Sequence, residues 1–232
     1  MNHPKAIVHL NRLARNYKTL SKSLDRKRLM AVVKANAYGH GAIECSKTLE
    51  DQGCDFFSVF TTEEAKELRN AGLKSDILIL CKLEIESIQT AIDNNLIVNI
   101  SSIDDLNNII YFLEKNGLSP RFHMKVETGM NRLGFDLGDI SFAIGKLLDY
   151  KNLNCEGIYT HYATSDEGDL SYALLQHERF DQSLEIANEM GYTFKYKHIS
   201  NSGGLLNDLS RNCLLYTSPS PRDRQKSRMP SS

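Results

Sequence analysis

Seven short β-rich runs recur along this chain, separated by stretches with helical periodicity: Leu29–Val33, Phe56–Phe60, Ile77–Leu80, Ile97–Ile100, Phe122–Val126, Gly157–Tyr162 and Tyr196–Ser200. Most are continuously apolar rather than alternating, the pattern of strands buried on both faces. Strand and helix in strict alternation predict a parallel sheet covered by helices. Leu10, Leu13, Tyr17, Leu20 and Leu24 share one helical face and predict a helix over Asn11 to Ser23. Thr61-Thr62-Glu63-Glu64 and Ser102-Ile103-Asp104-Asp105 are helix starts, with a hydroxyl to cap free N–H groups and acids at the positive end of the dipole. Asn116-Gly117 and Glu189-Met190-Gly191 are helix exits. The predicted class is α/β: a (β/α)8 TIM-type barrel, incomplete, with about seven of its eight strands. The competing fold is an open doubly wound sheet, and no Gly-x-Gly-x-x-Gly follows the first strand to support it.

At 232 residues and 41% hydrophobic content the chain can bury a substantial core. Its formal net charge of −1 gives no support for a nucleic acid or an anionic membrane surface as partner. No apolar run approaches the ~18 residues of a membrane helix. Met1-Asn2-His3-Pro4-Lys5 leads into a short mixed stretch without the apolar core of a secretion signal. Cys45, Cys54, Cys81, Cys155 and Cys213 are scattered, odd in number and form no Cys-x-x-Cys. Reduced thiols in a cytoplasm are the expectation, with no metal site.

Residues 213–232 differ in kind. Pro219, Pro221 and Pro230 fall there, and Arg222, Arg224, Lys226 and Arg228 face a single acid, Asp223. A natural basic tail would have this composition. Cys213 to Asp223, however, resembles the conceptual translation of a transposase-type sequencing adapter. Ser227 to Ser232 resembles the flow-cell adapter that follows it, with Arg224-Gln225-Lys226 spanning a short index between. The segment is therefore read as non-native and disordered, and residues 1–212 as the barrel domain.

In a barrel of this type chemistry sits where strands end. The first strand ends in Lys34-Ala35-Asn36-Ala37-Tyr38-Gly39-His40-Gly41, a lysine followed by small residues, an aromatic and two glycines, which predicts a site loop. A lysine at the end of a buried strand is partly desolvated, which lowers its pKa and makes it a candidate Schiff-base amine. The fifth strand runs into Lys125-Val126-Glu127-Thr128-Gly129-Met130-Asn131-Arg132, the sixth into His161, and the seventh from His198 into Asn201-Ser202-Gly203-Gly204. Singly, Lys125 and Arg132 read as surface charges, His161 and His198 as buried satisfied histidines, and Asn201 and Ser202 as helix caps.

Together the Lys34 string and these strand ends resemble alanine racemase in order and spacing across residues 6–204. The resemblance implies pyridoxal 5'-phosphate as cofactor, held through Lys34, which also serves as a catalytic base. It implies Tyr38 and Ser202 at the cofactor phosphate, His161 and Asn201 around its ring, and Arg132 at the phenolic oxygen and the substrate carboxylate. Lys125 matches a position that is carbamylated in several family members; a carbamate there would orient Arg132. Gly203-Gly204 stand where alanines are expected and would loosen the helix start. The family acts on alanine as a homodimer and supplies D-alanine to the bacterial cell wall. It also uses a tyrosine from a C-terminal β domain of the partner subunit, an eighth strand, and an arginine paired with the pyridine nitrogen; residues 1–212 match none of these. The chain is thus expected to lack that C-terminal domain and to be inactive by itself. A broad-specificity amino-acid racemase and a single-barrel pyridoxal-phosphate carrier without turnover are the alternatives.

Overall fold

β1 (Arg28–Val32), β2 (Phe56–Val59), β3 (Asp76–Ile79), β4 (Ile97–Ile100), β5 (Arg121–Lys125), β6 (Asn154–Tyr159) and β7 (Tyr196–His198) realise all seven predicted strands. They lie in the spatial order β7-β6-β5-β4-β3-β2-β1, every pair parallel. The computed structural model describes residues 7–22, 24, 27–82, 84–207 and 209, and the backbone of 215–218. β6 starts earlier than predicted and ends at Tyr159, so His161 lies beyond the strand rather than within it.

An eighth strand, β8 (Leu215–Ser218), pairs parallel with β1 from Arg28↔Leu215 to Ala31↔Ser218. These four residues lie in the segment expected to be a tail, and they add to the seven-stranded sheet beyond β1. Backbone pairing explains it: the outer edge of β1 presents a row of free N–H and C=O groups that any short β-prone segment within reach can satisfy. β8 also lies beside β7, so the sheet curls round on itself. The remainder of 213–232 falls outside the described residues.

Helices follow the strands in turn: α1 (Leu10–Lys22), α2 (Lys34–Gly39), α3 (Ala42–Asp51), α4 (Thr62–Asn70), α5 (Ser87–Asp93), α6 (Ile103–Asn116), α7 (Ile140–Asp149), α8 (Ser171–Glu189) and α9 (Ser202–Leu206). The capping signals act as their chemistry dictates. Thr61 Oγ1 accepts from the Glu64 amide at 3.2 Å while Glu64 Oε2 accepts from the Thr61 amide at 3.2 Å, a reciprocal capping box. Ser102 Oγ accepts from the Asp105 amide at 3.1 Å, and α6 exits through Gly117 in the left-handed region at φ 70°.

The apolar strand residues fill two layers. Phe57, Val59, Ile77, Ile79, Val98, Ile100, Phe122, Met124 and Ile158 pack outward against helix residues such as Ala65, Leu68, Leu106, Ile109 and Ile144. Met30, Phe56, Leu78, Ile97 and Tyr196 fill the barrel interior. Each such side chain contributes about 1.5–3 kcal/mol of burial, so these two layers, and not helix propensity, hold the fold. At the N-terminal end the interior is sealed by charge. Arg121 makes a two-pronged contact with Glu156 at 2.8 and 2.9 Å and reaches Asp76 at 2.8 Å, while Arg28 bridges Asp55 at 2.9 Å and donates to Tyr196 Oη at 2.7 Å. The opposite mouth, at the C-terminal strand ends, is left to polar side chains.

Candidate active site

Lys34 lies two residues past the end of β1, after the Val33 amide has donated to the Ser58 carbonyl at 2.8 Å. The predicted loop after it is instead a left-handed helical turn. Ala35, Asn36, Ala37 and Tyr38 have φ between 50 and 55° and ψ between 38 and 51°. A left-handed non-glycine residue costs about 1–2 kcal/mol, so such a run persists only where its surroundings over-determine it. They do so here. The Ala37 amide donates to the Val33 carbonyl at 2.8 Å, the Gly41 amide to the Asn36 carbonyl at 3.1 Å, and the Ala42 amide to Asn36 Oδ1 at 2.7 Å. Ala37 is buried, and Glu64 of α4 accepts from the Ala35 amide at 2.5 Å. The turn sets Tyr38 beside Lys34, whose Nζ lies 6.0 Å from the Tyr38 ring centroid.

Lys125, the last residue of β5, is 4% exposed, with Nζ 5.9 Å from the Tyr159 ring centroid. No hydrogen bond or ion pair reaches its ammonium among the described residues. Arg132 stands in the exposed loop after β5, and that loop is organised by Glu127. The Glu127 carboxylate accepts from the Gly129 amide at 2.5 Å and the Arg132 amide at 3.1 Å, with the Met130 and Asn131 amides also directed at it. The base of the loop is pinned by the Phe135 amide on the Lys125 carbonyl at 2.8 Å and the Glu127 amide on the Phe135 carbonyl at 2.9 Å. From outside the sheet, Tyr172 of α8 donates to the Gly129 carbonyl at 2.7 Å and Arg179 to the Thr128 carbonyl at 3.0 Å.

Four of the predicted site residues share one electrostatic field. Burial lowers the Lys34 pKa, Arg132 lowers it further, and Glu64 opposes them. Burial, then Arg132, pull Lys125 down to about 8, with Lys34 adding to the shift and Glu127 resisting it. Burial with Arg132, Lys125 and Lys34 brings His161 down to about 4, a neutral imidazole at neutral pH. The cluster is therefore cationic and short of counter-charge, since Glu64 and Glu127 are committed to backbone N–H groups. A buried lysine with no acceptor, beside an arginine and a second lysine, fits an anionic ligand or an added negative group far better than it fits solvent.

Asn201 and Ser202 stand after β7. Asn201 caps α9, its Oδ1 accepting from the Gly204 amide at 3.0 Å and from Ser165 Oγ at 2.5 Å, while Nδ2 donates to the Tyr162 carbonyl at 3.3 Å. Its contacts are thus to the segment after β6 and to its own helix, not to the lysines. Ser202 is the buried first residue of α9. Gly203 and Gly204 correct the expectation of a loosened helix start. A Cβ at Gly203 would lie 2.8 Å from the Ser165 and Asp166 backbone, and one at Gly204 2.6 Å from Ser200 Oγ and 2.9 Å from the Tyr162 ring. The glycines let α9 pack closer than alanines would.

Beneath the site, Tyr159 Oη donates to Asn99 Oδ1 at 2.9 Å, and its ring stacks on His198 with centroids 4.6 Å apart. Three residues bear on the site without a sequence signal for doing so: Glu64, Glu127 and Gln176. Gln176 of α8 donates to the His161 carbonyl at 3.1 Å and accepts from the Ala163 amide at 2.8 Å, holding the segment after β6. Glu64 is legible only as a capping acid, because its reach to Ala35 spans 29 residues of sequence.

The family model described as "Alanine racemase, N-terminal domain" matches residues 8–216. The alanine racemase of Methanococcus maripaludis is 37% identical over 209 residues, covering 89% of this chain and 56% of the relative. That of Desulforamulus reducens is 36% identical over 203 residues, covering 87% and 55%. Among solved structures, alanine racemase from E. faecalis superposes with a TM-score of 0.84 at 32% identity, covering 91% of this chain and 57% of that one. The Clostridium difficile 630 enzyme gives 0.83 at 28% identity, covering 90% and 55%. The chain spans about half the length of the curated relatives it matches. Among the described residues no helix is long and apolar enough to cross a membrane, and no group of three His, Cys, Asp or Glu side chains is placed to hold a metal. With its barrel, its strand-end lysine and a family match over most of its length, this chain belongs to the alanine racemase N-terminal domain family.

Proposed function

We propose that the protein containing this barrel interconverts L- and D-alanine with pyridoxal 5'-phosphate. The carrying observation is the cationic cluster of Lys34, Lys125 and Arg132 at the C-terminal barrel mouth, beside a neutral His161. When bound, pyridoxal phosphate supplies the electron sink that acidifies the substrate Cα–H. Lys34 attaches the cofactor and moves the Cα proton on one face; its lowered pKa makes the neutral amine accessible. Tyr38 and Ser202 hold the phosphate, His161 and Asn201 flank the ring, and Arg132 takes the phenolic oxygen and the substrate carboxylate. Lys125, at about 8, offers carbon dioxide a far larger neutral fraction than an ordinary lysine, and a carbamate there balances Arg132.

The same reading assigns the second proton-transfer group, a tyrosine, to a C-terminal domain of a homodimeric partner, and D-alanine to peptidoglycan in a cytoplasmic setting. It treats residues 213–232 as adapter-derived, with β8 a backbone docking onto β1. Residues 1–232 alone are then inactive in racemisation. The test is borohydride reduction in the presence of pyridoxal phosphate, followed by peptide mapping. The pyridoxyl group is expected on Lys34; a label on Lys125, or none, overturns the assignment.

A further inference from the structure

We propose that Glu64 is a positioning residue for Lys34: its carboxylate ties the start of α4 to the first amide of the left-handed turn and so sets how β1 delivers the lysine. The inference rests on the reading of Lys34 as the cofactor-bearing residue. Its basis is how the two oxygens of Glu64 are used. Oε2 accepts from the Phe60 amide at 2.7 Å and the Thr61 amide at 3.2 Å, which completes the capping box of α4. Oε1 crosses to the Ala35 amide at 2.5 Å. A capping box needs only the first of these functions. The second joins the ends of adjacent strands β1 and β2, since Phe60 follows β2 and Ala35 lies three residues past β1.

The Ala35 amide is the point where this clamp matters. Ala35 is the first of the four left-handed residues, and it directly follows Lys34. The other internal bonds of the turn stay within its own segment: the Ala37 amide returns to the Val33 carbonyl, and the Gly41 and Ala42 amides bond to Asn36. The bond to Glu64 ties the first amide of the turn to another element. Its charge also faces Lys34 and favours the ammonium, against burial and Arg132. A glutamine carries a single acceptor oxygen, so it can serve the helix cap or Ala35 but not both. Glu63, the exposed neighbour, makes neither contact and offers a control.

The test uses the whole chain, first without cofactor and then with it, comparing Glu64→Gln, Thr61→Ala and Glu63→Gln. Thr61→Ala removes the hydroxyl cap of α4 yet leaves the Glu64 to Ala35 bond in place. Amide hydrogen exchange at Ala35 is expected to accelerate about tenfold or more in Glu64→Gln, the scale of one lost charge-assisted hydrogen bond. It should stay within about twofold of the parent in Thr61→Ala and Glu63→Gln, below the effect of losing any one hydrogen bond. Borohydride-fixed pyridoxal phosphate at Lys34, at subsaturating cofactor, should fall in Glu64→Gln and not in Thr61→Ala at matched thermal stability. Unchanged exchange at Ala35 in Glu64→Gln, or equal effects in Thr61→Ala, overturns the proposal, because Glu64 would then act only through the stability of α4. If the parent chain captures no cofactor, the functional reading fails separately, while exchange at Ala35 still decides the clamp.

Discussion

His123 Nδ1 and His198 Nε2 lie 3.0 Å apart inside the barrel, and both rings are fully buried. One ring donates and the other accepts, so the two cannot both be protonated. Burial, with Arg121 and Lys195, brings His123 down to about 3, and burial with His123 puts His198 well below its ordinary value of 6.5. A histidine depressed in the folded state binds its proton more readily when unfolded. Its contribution to stability is therefore complete above about 6.5 and is lost as pH falls toward the folded value. Denaturant unfolding should show stability falling between pH 6.5 and 4.5 by up to ~1.4 kcal/mol per pH unit for each histidine. Most carboxylates titrate below this window, so it belongs to the histidines. A flat profile across it would contradict the buried neutral pair.

Glu127 gathers the amides of Gly129 and Arg132 on its carboxylate. Burial pushes its pKa up, but the converging N–H groups hold it below the ordinary range. Glu127→Ala strips the loop of its centre and leaves those amides to water, at a cost of about 1–3 kcal/mol. Limited proteolysis should then cut near 129–132 ahead of the rest of the chain. A parent-like digestion pattern would show that Tyr172 and Arg179 hold the loop unaided.

Gly204→Ala tests the close approach of α9. Its Cβ would sit 2.6 Å from Ser200 Oγ and 2.9 Å from the Tyr162 ring, and a buried ring cannot swing away freely. The expected loss is about 1–3 kcal/mol, the usual cost of overpacking, read as a lowered melting temperature. A neutral or stabilising change would mean that α9 shifts outward without cost.

Lys125 should react with carbon dioxide. At pH 8 about half of it is the neutral amine, whereas an ordinary lysine near 10.5 is almost wholly protonated. With carbon-13 bicarbonate the chain should show a carbamate resonance that is absent in Lys125→Gln. A resonance that survives the substitution belongs to another amine.

Deleting residues 213–232 removes β8 and uncovers the edge of β1 that it pairs from Arg28 to Ala31. Exposed parallel edges recruit other strands. Light scattering should therefore show concentration-dependent association in the shortened chain and less of it in the full one. Equal behaviour would mean that β8 does not protect the edge.

The order and hydrophobicity of residues were enough to place seven strands, the capping residues Thr61 and Ser102, the exit at Gly117 and the lysine at the end of β1. These are local signals: periodicity, a side chain reaching its own helix start, and a glycine free to go left-handed. Only the tertiary structure decided what happens between segments. Lys34 to Tyr38 reads as a loop because nothing within that string forbids it; its left-handed turn exists because Glu64, Asn36 and the burial of Ala37 hold it. Gly203 and Gly204 read as a weak helix start until the Tyr162 ring and the Ser165 backbone come against them. Residues 215–218 read as tail until the open edge of β1 paired them. Lys125 reads as a charge like any other, and only the positions of Arg132, Lys34 and the buried barrel wall turn it into an unpaired amine. Charge and packing act through space, so residues such as Glu64 and Gln176 bear on this site from distant parts of the sequence and carry no local mark of it.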